Sequence, residues 1–489
     1  MKTRPSYTTR SVRNAKLIYL SLLICLVIFQ IPMAQIKAGI VPSAQQVRNF
    51  TGSAQTRLVF VNGIDSTTRY LYYVDFSETA PVIHKIAATH GAWNPSISPD
   101  GNSVAYSIGA EGSATIAVWI CQLAENATPV LVTQGHAHEP RFVKDTASSQ
   151  LVSTTTWQAG DWNGLGQTMV KNVPGSVPAP MESILYAQGS FHCGLSVDKR
   201  YLATTMFEPN PRMVDVTTGT VYTLHSLLCK NKTTQVDTII NPQTCNGSIS
   251  SSGIFTNVMM YEDYGIPVQY THQTLGYWGF HKRLFISSSQ GDIIRWYDFP
   301  DSLMPVSRAN VTGCRWTHSE WSVNHPYYGV ASNITSRIFP IGSDFSSTDL
   351  CEDLYAINLR TATYLKLVES TDNSLNSATD LQWPGLWIGL PASFAEDSTW
   401  LTRQSPIRKN PDARARVRKT VWISGHSVFS TEPVLQLNCF NPAGKLILGK
   451  KYNGRTYSIR LAGNVSAGTY ILEVTTGSGI QVLRYLQER

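Results

Sequence analysis

A chain of 489 residues with 42% hydrophobic and 15% charged side chains is longer than one ordinary domain and too apolar to remain disordered. Its formal charge is +7, but residues 1–38 hold six basic and no acidic groups, residues 39–402 hold 20 basic and 29 acidic, and residues 403–489 hold 14 basic and four acidic. A body that sums to −9 argues against nucleic acid as a partner, because phosphate contact needs a basic surface.

The chain opens with Lys2, Arg4, Arg10, Arg13 and Lys16, then a run from Leu17 to Ile31 that is apolar except for Ser21 and Gln30, then Pro32 to Ala38. This is the pattern of a secretory signal, residues 1–38, cleaved before Gly39. The apolar run is short for a membrane-spanning helix, which needs about 20 residues, so no stable span is expected after cleavage. Seven cysteines remain. Cys229 and Cys245 bracket a polar segment, and closing that loop with a disulfide would stabilise it by roughly 3 kcal/mol in an oxidising compartment. Cys121, Cys193 and Cys439 read as small core residues.

From residue 39 to 402 helical periodicity is nearly absent, and short apolar or alternating runs alternate with Gly, Asn, Asp, Ser and Pro. The class is all-β. A repeat starts at Asn94-Pro-Ser-Ile-Ser-Pro-Asp-Gly-Asn-Ser-Val-Ala-Tyr-Ser, where Pro99 presets a turn, Asp100 caps it and Gly101 can take positive φ. Degenerate copies are Gly194-Leu-Ser-Val-Asp-Lys and Trp321-Ser-Val-Asn-His, so that Asp100, Asp198 and Asn324 align. Starts near 97, 142, 195, 281, 321 and 387 give a period of the size expected for four-stranded blades. The count is six, or seven if Arg57 to Val82 forms a full blade rather than closing the ring from outside.

The stretch Trp93-Asn-Pro-Ser-Ile-Ser-Pro-Asp-Gly resembles the repeat of TolB-like β-propellers, and that resemblance implies a propeller over residues 39–402. Residues 403–425 form a basic linker: the stretch 403–419 holds seven basic residues, one acid and two prolines. Residues 426–489 show alternating strands joined by Pro-Ala-Gly, Ser-Ala-Gly and Gly-Ser-Gly, which fits a small β-sandwich. Leu461-Ala-Gly-Asn-Val-Ser-Ala-Gly-Thr-Tyr and the terminal Gln481-Val-Leu-Arg-Tyr-Leu resemble the C-terminal sorting domain of the type IX secretion system. That resemblance implies a bacterial protein handled by the type IX machinery and delivered by way of the periplasm to the outer surface.

No nucleophile elbow, phosphate loop, His-Glu-x-x-His or calcium loop occurs, so neither cofactor nor metal is expected. His136 and His138 are the most ligand-like pair, but the sequence offers no third ligand. The seven Asn-x-Ser/Thr sites, among them Asn246 and Asn333, follow from the abundance of those residues in a bacterial chain. The positions leading into each first blade strand are more informative, because those strands would share one rim of a central channel. Trp93 lies four residues before Ile97, His138 before Phe142, Phe191 before Leu195, Tyr277 before His281 and Trp383 before Trp387, with Trp316 displaced by one.

With His90, His192, His318 and Glu320 close by, such a ring could stack a flat sugar face or a peptide side chain; the competing reading wedges each aromatic against its neighbouring blade. The functional expectation is a non-catalytic protein- or polysaccharide-binding scaffold at the cell surface. A second class, a polysaccharide lyase or glycosidase, would use His318, Glu320 or Glu139 as acid or base. The leader makes one expectation directly testable: mass spectrometry of the exported chain should find Gly39 at its N-terminus, and an intact leader would contradict cleavage.

Overall fold

The computed structural model describes residues 38–487 except 64–67, 110–114, 135–137, 144–149, 156–165, 173–182, 190–192, 205–211, 243, 301–313, 336–349, 372–380, 392, 398, 402–420, 425–426, 442–444, 461–467 and 477–478. The strands between 56 and 388 group into six antiparallel four-stranded sheets and one three-stranded sheet. Their first strands are Leu381–Ile388 (sheet one), Ala92–Ile97 (two), His138–Val143 (three), Cys193–Leu195 (four), Thr244–Ile249 (five) and Cys314–Trp321 (six). These inner strands touch one another in cyclic order, with sheet six returning to sheet one, so the sheets close a ring. The fold is a β-propeller.

The ring closes by strand exchange. Thr56–Asn62, Tyr70–Asp75 and His84–Ile86 are the outer three strands of sheet one, and Leu381–Ile388 from the other end of the propeller is the fourth. Arg57 pairs with Trp387 and Leu58 with Leu386 along that seam. Arg57 to Val82 therefore does not form a separate seventh blade. A second clasp adds Ala38–Ile40 to the outer strand Thr363–Ser370 of sheet six. Between the two clasps runs a helix, Ala44–Thr51, that the strand-dominated sequence gave no reason to expect; Ser43 and Gln46 cap it reciprocally and Gly52 ends it in the left-handed region.

The repeat is physically real where its sequence is degenerate. Ser98 Oγ donates to Asp100 at 2.5 Å while accepting from Ser103 N–H, and Ser196 Oγ donates to Asp198 at 2.5 Å while accepting from Tyr201 N–H. Lys199 takes φ +60° where Gly101 has +77°. Asn324 departs from the pattern and donates to the Ile388 carbonyl of sheet one. The start near 281 is corrected: the strand following His281, Arg283–Ser288, lies third in its sheet, and the inner strand is Thr244–Ile249. The inner strand is the more polar of the two because it faces the axis, whereas Phe285 and Ile286 lie in the core, so hydrophobicity marks the wrong strand.

The cores lie between successive sheets. Val59, Val61, Leu71, Ile97, Val104 and Trp387 join sheets one and two, and a second cluster around Met259, Tyr261, Trp278 and Phe285 joins sheet five to a three-stranded excursion, Leu227–Asn231, Asp237–Ile240 and Tyr270–His272. Cys229 sits in that excursion as a free, buried thiol whose pKa burial pushes up to about 11, so it does not form the expected bridge to Cys245 in the inner strand of sheet five. Cys121 and Cys439 are buried as expected.

Residues from Val421 onward form one five-stranded antiparallel sheet built on the long strand Ser427–Phe440, around Val434, Leu437, Cys439, Tyr470 and Leu472. Val421–Ser424 already pairs with Ser427–Ser430, so the terminal sheet begins before residue 426. Among the described residues no helix is long and apolar enough to cross a membrane.

Gly101 carries the sharpest stability test. A Cβ there would meet the Trp387 ring at 2.6 Å, and φ is +77°. Both the overlap and the backbone conformation oppose a side chain, so Gly101→Ala should cost about 2–4 kcal/mol in denaturant unfolding, and a loss under about 1 kcal/mol would contradict the tight Trp387 contact.

Candidate functional site

Five of the six inner strands carry a local irregularity near their start. In sheets one, two, three, five and six the ladder slips by a residue, and the bulge holds a non-glycine residue at positive φ: Trp383 (+45°), Asn94 (+49°), Glu139 (+52°), Asn246 (+52°) and His318 (+51°). Such a conformation costs on the order of 1 kcal/mol per residue and persists where neighbours hold it. The neighbours here are polar. Asn94 donates to Glu139 Oε1 at 2.9 Å, and Glu139 N–H donates to Ser107 Oγ, tying sheet two to sheet three. Asn246 donates to Glu262 Oε2 at 2.9 Å, and the other oxygen of Glu262 accepts from Ser319 N–H, tying sheet five to sheet six. Ser96 and Ser248 repeat the theme by accepting from Phe142 N–H and Trp321 N–H of the next sheet.

The bulges bring part of the expected rim together. Trp383 lies 6.1 Å from Trp93 and 4.8 Å from His318, ring centroid to centroid, and the Arg69 guanidinium stands 4.9 Å over the Trp383 ring. Trp383, His318 and Arg69 are half-buried, while Trp93 is buried behind them. These residues come from sheets six, one and two and form one side of the leading mouth. His90, further out, is exposed and packs on Tyr70.

Other expected members do not join. Trp316 is wholly buried, 4.6 Å from Phe299 and bonded through Nε1 to the Tyr297 carbonyl, so it wedges sheet six against sheet five. Tyr277 belongs to the excursion of sheet five, under Lys232 at 4.7 Å, because the inner strand of that sheet lies elsewhere. His138 opens the inner strand of sheet three, its side chain lying outside the described residues together with Phe191, His192 and His136.

Below the mouth, inner-strand residues of all six sheets line a channel of about 80 Å³. That volume holds two or three waters, far below the several hundred Å³ of a small-molecule site. Arg141 of sheet three and Glu320 of sheet six both line it and form an ion pair, although their sheets stand opposite in the ring. Glu320 is thereby engaged across the axis, and Glu139 is fully buried. One further arrangement has enzyme-like chemistry: His225 contacts Asp263 at 2.6 Å and the Tyr261 hydroxyl at 2.9 Å, with Ser287 and Trp278 completing the chain. All of these side chains are buried, and burial pushes the Tyr261 phenol upward in pKa, so they act as a polar core rather than as reactive groups.

A larger cavity of about 660 Å³ lies at the trailing end, where the chain leaves the inner strands of sheets six and one. Its lining includes His325, Tyr327, Tyr328, Phe394, Arg295 and Arg360. His325 packs edge-on against Tyr328 and Phe394, and its Nδ1 accepts from Tyr327 N–H. Burial first, and the Arg360 charge second, push its pKa down from 6.5 to about 4. The sequence gave no motif for this cavity, since its residues come from five separate segments.

No protein-family model matches the chain, and no curated protein matches it. Similar solved structures include TolB from Acinetobacter baumannii (10% identity over 70% of this chain and 69% of that one, TM-score 0.39). Hydrazine synthase from Kuenenia stuttgartiensis (9%, 89% and 67%, TM-score 0.42) and an oligogalacturonate lyase in complex with manganese (13%, 61% and 70%, TM-score 0.31) are others. At this distance the likeness transfers no residue role to this chain.

His325 gives the cavity a pH signature. Folding favours its neutral form, so its contribution is complete above pH 6.5 and is lost as the pH falls toward 4, where only the unfolded chain takes the proton. Between pH 7 and 4.5 the wild type should lose roughly 2–3 kcal/mol more unfolding free energy than His325→Phe, and equal losses would show that the imidazole is not held neutral.

Proposed function

We propose that this chain is an exported bacterial propeller of TolB-like type, acting at the cell surface as a non-catalytic recognition or scaffold module. Its partner, a protein or polysaccharide, would dock at the leading mouth of the channel. The observation that carries this reading is the half-buried cluster of Trp383, His318 and Arg69 above a channel too small to admit a ligand. An indole face beside a cation and an imidazole can stack a sugar or aromatic ring and orient its polar groups. The carboxylates that acid–base chemistry would need have other work: Glu320 pairs with Arg141, and Glu139 holds the Asn94 bulge. In the same reading the terminal strands from residue 426 serve as the address read by the type IX machinery, supported by the Ser-Ala-Gly-Thr-Tyr element and the basic last strand.

Glycan-array and pull-down binding of the mature chain should identify a partner whose affinity falls about tenfold in Trp383→Ala, the usual scale for an interface aromatic. The variant should still unfold in one cooperative transition, at a somewhat lower temperature because Trp383 also packs on Trp93 and under Arg69, and mass spectrometry should find the glycan intact. Cleaved product would establish an enzyme instead, and unaltered binding in Trp383→Ala would remove the mouth from recognition.

A further inference from the structure

The trailing cavity has a chemistry independent of the mouth. Arg295, in the outermost strand of sheet five, lines it and is only 8% exposed. Its Nη1 donates to the carbonyls of Leu359 and Arg360 at 3.0 and 3.1 Å, its Nη2 donates to that of Trp400 at 2.8 Å, and its Nε–H has no partner. No carboxylate pairs with this guanidinium among the described residues. Carbonyl dipoles satisfy hydrogens but do not cancel a net charge, so the buried cation leaves the wall of the cavity positive.

Arg360 adds a second cation that a ligand can reach. Its side chain is 41% exposed, stands 4.6 Å over the Tyr327 ring and forms a loose ion pair with Asp397 at 3.6 Å, longer than a hydrogen bond, so that a ligand carboxylate can compete for its donors. The guanidinium fork is suited to planar oxyanions, which it can grip through two donors. His325 is held neutral by burial and so neither adds to nor cancels this field. Phe394, half-buried and packed on His325 and Tyr327, also lines the cavity, with Ser393 and Thr361 as hydroxyl groups. The volume, about 660 Å³, falls in the range of small-molecule sites.

We propose that this cavity is a binding site for a small anionic ligand of sugar-acid type, its carboxylate held by Arg360 with the charge of Arg295 behind it and its ring laid against Phe394. The site goes beyond the docking role of the mouth and does not depend on it. Two buried or partly buried cations select against a neutral sugar, and the aromatic wall distinguishes a ring-bearing acid from a bare ion.

Calorimetry on the full mature chain, with cellobiouronic acid against neutral cellobiose, tests this directly, with inorganic sulfate as competitor. The acid should bind at least about tenfold more tightly than cellobiose, and its affinity should fall with added salt and drop about tenfold in Arg360→Gln. Phe394→Ala should weaken the acid but not sulfate. Arg360 is exposed enough for its replacement to leave the unfolding temperature in place, and that measurement accompanies each titration. Sulfate that displaces the acid would place the recognised oxyanion at the arginines. Equal binding of cellobiose, undiminished binding by Arg360→Gln, or no binding of the acid would overturn the proposal.

Discussion

The pairing of Thr56–Asn62 with Leu381–Ile388 is the constraint on which the remaining structure depends. It joins segments more than 300 residues apart in sequence and removes the exposed sheet edges that an open row of blades would leave at both ends. Side chains reinforce the seam. Arg57 bonds Asp75 in its own sheet and the Gly101 carbonyl of the next, while Trp387 lies against that same turn and donates to the Pro99 carbonyl. The Pro-Asp-Gly turn that announces the repeat is thus also the place where sheet two is fastened to the closing sheet. Ala38–Ile40 adds a second clasp on sheet six, so both edges of the closure are held by strands from residues 38–62.

Closure forces six inner strands together around a narrow axis, and the bulges are where the crowding is relieved. Each slip of register sets one residue at positive φ, and the strain is offset by bonds to buried carboxylates, Glu139 in the next sheet and Glu262 in the same sheet, the latter also accepting from Ser319 N–H of the next. Asn94 to Glu139 and Asn246 to Glu262 are two instances of one device. Two sequons, at Asn246 and Asn333, lie within this buried framework, which leaves no room there for a glycan. The device also decides what the leading mouth presents. Where the bulge residue is Asn or Glu it is buried in the framework; where it is His318 or Trp383 it remains half-exposed beside Arg69. The half-exposed aromatic, imidazole and guanidinium groups of the mouth are therefore concentrated on the side of sheets six, one and two.

Charge is distributed with the same economy. Arg141 and Glu320 neutralise each other across the channel, Asp263 is bonded to His225 and Trp278 inside the fifth-sheet network, and Glu262 is satisfied by neighbouring donors. Arg295 stands apart because, among the described residues, its terminal nitrogens bond only carbonyl oxygens. Since burying an unpaired cation is costly, a segment that retains one beside a cavity leaves an anion-shaped demand that the fold itself does not meet. The His325 imidazole beside it is kept uncharged by the same burial.

The sequence by itself determined the all-β class, the repeat and its Ser-x-Asp turn, and the chemical kind of residue at the leading mouth, because these depend on local alternation and turn chemistry. It placed Trp93, His318 and Trp383 correctly near one another but also drew in Trp316 and Tyr277, since an aromatic that lines a rim and one that wedges two blades have the same local pattern. The fifth inner strand, Thr244–Ile249, was illegible for a related reason: axis-facing strands carry small polar side chains and read as loops. The tertiary structure alone decided which strand closes the ring, which carboxylates are engaged, that Cys229 stays unpaired with Cys245, and that Arg295, His325, Arg360 and Phe394 share a cavity. Those facts rest on contacts between segments tens to hundreds of residues apart, whose free energy depends on burial and distance rather than on any spacing along the chain.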